Sequence, residues 1–145
     1  MDNGKNKMTV LYIGNQFSDD PAGRYYTDGD GNGEEFREEV LKPIFSTGKN
    51  ITINIDNNVE GYGSSFLVEA FGGLIKHGYF KKEYIQERLK ITYDNSDFKF
   101  YAKKIDQYIN EAVYDSMEYI PTKEKAIEEG KFKNSIDKSF ISEFT

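Results

Sequence analysis

The chain has no cysteine and no tryptophan, a single histidine and three prolines among its 145 residues. Without cysteine it can form no disulfide, no thiolate zinc site and no cysteine nucleophile, which suits a reducing compartment. With His77 alone, multi-histidine metal sites are unavailable to it, and no Ser-His-Asp grouping suggests itself. No apolar run approaches the roughly 20 residues needed to cross a bilayer. The opening stretch, MDNGKNKMTV, has no apolar core behind its lysines and does not read as a signal peptide. A cytoplasmic protein without a membrane partner is expected. The net charge of −6 repels phosphate backbones, and the lysines at 81, 82, 103, 104, 123 and 125 are dispersed among acids. Nucleic acid is therefore not the expected partner.

What the chain does have is aromatic residues, 11 Tyr and 11 Phe, and a length that fits one domain with an added tail. Residues 1–8 are polar and read as a flexible terminus. Thr9 to Ile13 reads as a strand. Residues 15–33 hold four glycines, a proline and several Asp and Asn, which is loop chemistry with at most a short strand at Arg24–Thr27. Phe36, Val40, Leu41 and Ile44 recur at helical spacing within a helix predicted over 34–45. Its acidic start, Glu34, Glu35, Glu38 and Glu39, reads as a solvated first turn favoured by the helix dipole. Ile51, Ile53 and Ile55 alternate with polar residues, as do Leu89, Ile91 and Tyr93. Such strands are half-buried, so helices should cover mainly one face of the sheet. A stripe of Phe66, Leu67, Ala70, Phe71, Leu74 and Ile75 marks an amphipathic helix over 64–77, stopped by Gly78. A short helix follows at 81–88 and a longer one at 98–119. Beyond Pro121 the chain is charged and sparse in large apolar residues until Phe132, Ile136, Phe140 and Ile141.

Two stretches carry a family resemblance. One is Phe17-Ser-Asp-Asp-Pro-Ala-Gly-Arg-Tyr25, continuing through Asp28-Gly29 to Gly33-Glu-Glu-Phe-Arg-Glu-Glu39. The other is Asn58-Val-Glu-Gly-Tyr-Gly-Ser-Ser-Phe-Leu67, continuing to Glu69-Ala-Phe-Gly-Gly73. Over residues 9–95 the chain resembles the STAS-like domain family of unknown function, related to the bacterial STAS domains that act as anti-sigma factor antagonists. In those domains the loop before the second helix carries Asp-Ser-Ser-Gly-Leu, and a partner kinase phosphorylates its first Ser. Here the equivalent stretch is Gly63-Ser64-Ser65-Phe66-Leu67. The resemblance thus puts Ser64 at the phosphoacceptor position, with Gly63 in place of the Asp and Phe66 in place of the Gly.

The residues themselves admit other readings. Ser64 and Ser65 stand where a helix starts and could simply cap it, or could offer a phosphorylation or anion site there. Glu60, Tyr62 and Gly63 flank that loop and could shape a partner surface. Arg24, Asp28, Glu34, Glu35 and Arg37 surround the Gly-rich loop, either as salt bridges pinning it to the first helix or as a ligand site. Asp28, Asp30, Asn32, Gly33 and Glu39 fit the spacing of a calcium-binding EF-hand loop. The eighth position of that loop is Glu35 and no helix is expected to enter it, so neither calcium nor any other metal or cofactor is expected. His77 reads as a favourable charge at a helix end.

The expected fold is α/β, STAS-like: a small mixed β-sheet with helices mainly on one face over residues 9–120. A C-terminal extension over 121–145 would be a separate helix or a segment ordered only by a partner. The expected function is that of a non-enzymatic regulatory protein-binding module. Its partner, as the resemblance implies, would be a protein such as a histidine-kinase-type ATPase. The alternative is a small-molecule or nucleotide sensor using the loop at 23–35 and the helix start at Ser64.

Overall fold

The computed structural model describes residues 9–145; the flexible terminus expected at 1–8 lies outside them. The alternating apolar runs form three short strands, β1 (Val10–Tyr12), β2 (Ile51–Asn54) and β3 (Leu89–Thr92), in the order β1-β2-β3. Both pairings are parallel, with Leu11 opposite Ile53 and Ile53 opposite Ile91. The sheet is therefore parallel throughout rather than mixed. The one stretch that could have added an antiparallel strand, 24–27, leads instead into a 3-10 turn at Tyr26–Asp28. The Asp28 carboxylate accepts hydrogen bonds from the backbone N–H groups of Arg24 and Tyr25, which folds the segment onto itself.

Parallel neighbours need crossovers, and here each carries a helix. The first, α1, covers residues 33–45 and the second, α2, residues 64–76. Stepping twice in the same direction with crossovers of one hand lays both helices on the same face. Leu11, Ile51, Ile53 and Ile55 accordingly share one core with Phe36, Val40, Leu41 and Ile44 of α1 and with Phe66, Leu67, Ala70, Phe71 and Leu74 of α2; Ile91 packs at its margin. On the other face Tyr12 and Lys90 are exposed. The alternation is less clean at the central strand. Thr52 and Asn54 are buried too, and Asn54 Oδ1 turns to accept from the N–H groups of Asp56 and Asn57.

Both helices widen in the middle into π-helical turns, at Phe36–Leu41 in α1 and at Val68–Gly72 in α2. They touch closely at Gly33, where a Cβ would lie 2.8 Å from the Phe66 carbonyl oxygen and 3.0 Å from Glu69 Cβ. Asn32 caps α1, its Oδ1 accepting from Glu35 N–H at 2.7 Å. Two further helices follow, α3 (Lys82–Arg88) and α4 (Lys99–Glu111), the latter burying Ile105 and Ile109. Helix α4 stops at Ala112, well short of the predicted 119. Beyond it the backbone pairs with the end of α2 instead, Asp115 N–H donating to Ile75 O and Met117 N–H to Lys76 O.

The extension over 121–145 is ordered against the domain itself rather than standing apart. It forms a short helix, α5 (Lys123–Glu128), and a 3-10 turn at Ser139–Glu143. Phe132 and Ala126 bury Tyr26 in a small second core, while Phe140 and Phe144 join the main one. Each such Phe is worth about 1.5–3 kcal/mol when fully buried, enough to hold a segment that lacks long secondary structure.

Candidate docking loop and the ion cluster beside it

Strand β2 runs out at a tight corner. The Asp56 carboxylate accepts from Asp94 and Asn95 N–H at 2.7 and 2.6 Å, and Asn58, in the left-handed conformation, donates from its side-chain amide to Gly14 O. Tyr62 then turns inward. Its hydroxyl donates to Ile55 O at 2.7 Å and its ring stacks on Phe66 and meets Tyr101 edge-on. Burial foremost, then the Asp56 charge and Tyr101, push the Tyr62 hydroxyl well above the usual phenol range. Half-buried, Tyr62 therefore props the loop up from beneath.

The loop delivers the chain to α2 with Gly63 at the cap position and Ser64 as first helical residue. Ser64 is exposed, and among the described residues neither the Ser64 nor the Ser65 hydroxyl makes a hydrogen bond. Capping by Ser64 is thus not what the structure contains, because the serine sits one position too late. Beside it, Asp19, Asp20, Asn58, Val59, Glu60 and Gly61 line an open cleft of about 610 Å³. Asp19, Asp20 and Glu60 are exposed there, and none of them is in an ion pair among the described residues.

The polar set around the Gly-rich loop is built differently. Arg37 is fully buried in the wide turn of α1, and Glu69 lies opposite in the wide turn of α2. Arg37 Nη1 donates to Glu69 Oε2 at 2.6 Å and to the Glu69 carbonyl at 2.9 Å, while Nε donates to Glu38. Burial alone would lower the Arg37 pKa, but the Glu38 and Glu69 carboxylates outweigh it and the guanidinium is held charged. Arg24 Nη1 reaches Glu69 Oε1 at 3.3 Å, and His77 Nε2 lies 3.6 Å from Glu69 Oε2. Glu69 thereby ties the loop, α1 and the end of α2 together. This is the pinning role, with Asp28 supplying the local turn.

Residues 32–99 match the STAS-like domain of unknown function. The match opens at the cap of α1 and runs through β2, α2 and β3, so it takes in Glu34, Arg37, Ser64, Glu69 and His77. The part of the resemblance at residues 17–31 falls outside it. No curated protein and no solved structure matches the chain.

Within the matched region the acidic start of α1 is not solvated. Glu34 and Glu35 are fully buried. Glu34 accepts from the Tyr119 hydroxyl, from Thr122 Oγ1 and from Thr122 N–H. Glu35 accepts from Gly31 N–H through one oxygen, and its other oxygen lies 2.7 Å from Lys138 Nζ, an ion pair off the hydrogen-bonding direction. Burial foremost holds the Glu35 carboxyl above its usual range against the Lys138 and Gly31 contacts. The EF-hand-spaced residues face separate protein partners. Asp28 binds Arg24 and Tyr25, Asp30 binds Lys133 and Ser135, Asn32 caps α1, and Glu39 takes the Tyr26 hydroxyl, Lys123 and Lys138. Among the described residues no group of three or more acidic or histidine side chains is arranged to hold a metal ion, and no helix is long and apolar enough to cross a membrane. Sequence reasoning singled out neither Glu69 nor Tyr119, Thr122 and Lys138. Glu69 was the findable one, as the lone acid in an otherwise apolar helix stretch from Phe66 to Ile75.

Proposed function

We propose that the chain is a regulatory protein-binding module of STAS-like type, which docks through the loop at 60–65 onto a partner protein of the histidine-kinase ATPase kind. The observation that carries this is the state of Ser64. It is exposed at the first turn of α2, its hydroxyl is unengaged among the described residues, and the loop presenting it is braced from beneath by Tyr62. A rigid, outward-facing hydroxyl at a helix start suits recognition and would tolerate added negative charge, since the helix dipole favours it. The exposed carboxylates Asp19, Asp20 and Glu60 alongside favour a partner surface that is basic at its rim.

The test compares the parent chain with Ser64→Asp. Affinity capture with the parent is expected to recover an ATPase-domain partner whose affinity for Ser64→Asp differs by about tenfold or more, as one charge added at a docking surface can cause. Melting temperatures of the two chains should agree closely. Equal affinity for every recovered partner overturns the reading.

A further inference from the structure

The carboxylates at the start of α1 take their partners from a segment beyond the matched domain. Asp30 accepts from Lys133 N–H and from both the N–H and the hydroxyl of Ser135. Glu34 is held by Tyr119 and Thr122. Glu39 pairs with Lys123 at 3.2 Å, and Lys138 spans Glu35 and Glu39 at 2.7 and 3.3 Å. Two lysines and three hydroxyls from residues 119–138 therefore meet four acids over 30–39, alongside Gly31 N–H on Glu35 and the Tyr26 hydroxyl on Glu39. The apolar contacts of this segment are divided between the main core and a smaller second cluster. Phe140 and Phe144 keep 9% and 6% exposure, whereas Phe36, Phe66 and Phe71 at the centre keep none. Phe132 packs with Tyr26 and Ala126 in a cluster separate from the main core. The connection leading into the segment is exposed, Val113 at 66% and Ile120 at 70%.

We propose that residues 119–145 form a strap that opens as one unit while the sheet and its two crossover helices stay closed, with the Ser135–Asp30 contact as its lock. Ser135 is exposed and is the one residue of the segment that meets Asp30 with both its backbone and its side chain. A negative charge at position 135 faces the Asp30 carboxylate directly and replaces a donor with a repelling acceptor. Opening uncovers Glu34, Glu35 and Glu39 together, an acidic strip whose present occupants are lysines and hydroxyls. A lysine-bearing segment of a partner is the chemistry that such a strip would receive in their place. This device does not depend on the reading of Ser64.

Hydrogen exchange on the full chain tests it. In Ser135→Asp the amides of residues 123–144 are expected to exchange about tenfold faster or more, with those of Ile51–Asn54 unchanged, the signature of a separable cooperative unit. Unchanged exchange in the strap overturns the proposal, and so does acceleration of strap and β2 amides by the same factor. Ser135→Ala, which removes only the hydroxyl bond to Asp30, is expected to show the same selectivity for the strap with a smaller rise.

Discussion

Single atoms decide much of this structure. Ser64 follows Gly63 at the cap, and its hydroxyl is not bonded among the described residues. Ser64→Ala should therefore leave the unfolding free energy within about 0.5 kcal/mol of the parent, whereas loss of a true cap costs about 1 kcal/mol. A denaturant titration separates the two. Gly33 sits at the opposite extreme. A methyl group there would meet the Phe66 carbonyl at 2.8 Å, and backbone cannot yield as a side chain can. Gly33→Ala is expected to cost about 1–3 kcal/mol through forced separation of α1 and α2. A midpoint unchanged in the same titration would show that the helices have slack.

Between elements, the joint that matters is Arg37 against Glu69. Both lie in wide turns, and both are buried. Glu69→Gln leaves the buried guanidinium with Glu38 as its one carboxylate beside the backbone carbonyl of residue 69, and breaking such a pair costs about 3–5 kcal/mol. The double variant Arg37→Met with Glu69→Met should lose markedly less, and a double variant that loses as much as the single one would contradict this account. The elements themselves were legible. The stripes of α1 and α2 and the isoleucines of β2 follow periods of 3.6 and 2 that burial imposes, and all of them reach the core. The acids of α1 were misread for a physical reason. Glu34 and Glu35 look like any solvated helix start until Thr122 and Lys138 are brought to them from about a hundred residues away. Lys123 in turn looks dispersed among acids until the chain folds back onto Glu39. The end of α4 was overextended because the tyrosines and Met beyond Ala112 look helical, yet their backbone is claimed by the end of α2.

For the molecule as a whole, the acids under the strap set how it responds to pH, and they pull in opposite directions. Burial raises the Asp30 carboxyl, but the bonds from Ser135 and the backbone of Lys133 and Asn134 outweigh it and hold it below its usual range. Glu39 behaves alike, burial being outweighed by the Tyr26 hydroxyl, Lys138 and Lys123. A carboxyl lowered in the folded state contributes stability that is present above its unfolded pKa of about 4 and is lost as pH falls through the folded value. Glu35, raised chiefly by burial, has the reverse sign, and its protonation relieves the fold. Between about pH 6 and about pH 3, melting temperature should fall less in Asp30→Asn than in the parent, and more steeply in Glu35→Gln. Parallel curves for all three would mean that these carboxyls do not govern acid stability. The same arrangement bears on how the protein is made. The bonds from Glu34 to Thr122 span 88 residues, and those from Asp30 to Ser135 span 105. A ribosome adding about 5–20 residues per second needs about 5–20 s to cover such a distance. Through that interval the nascent helix α1 carries acids that have no lysines yet to meet. Until Thr122 to Lys138 have been made, the acids of α1 lack the partners that close over them, and a chaperone would find that surface still open.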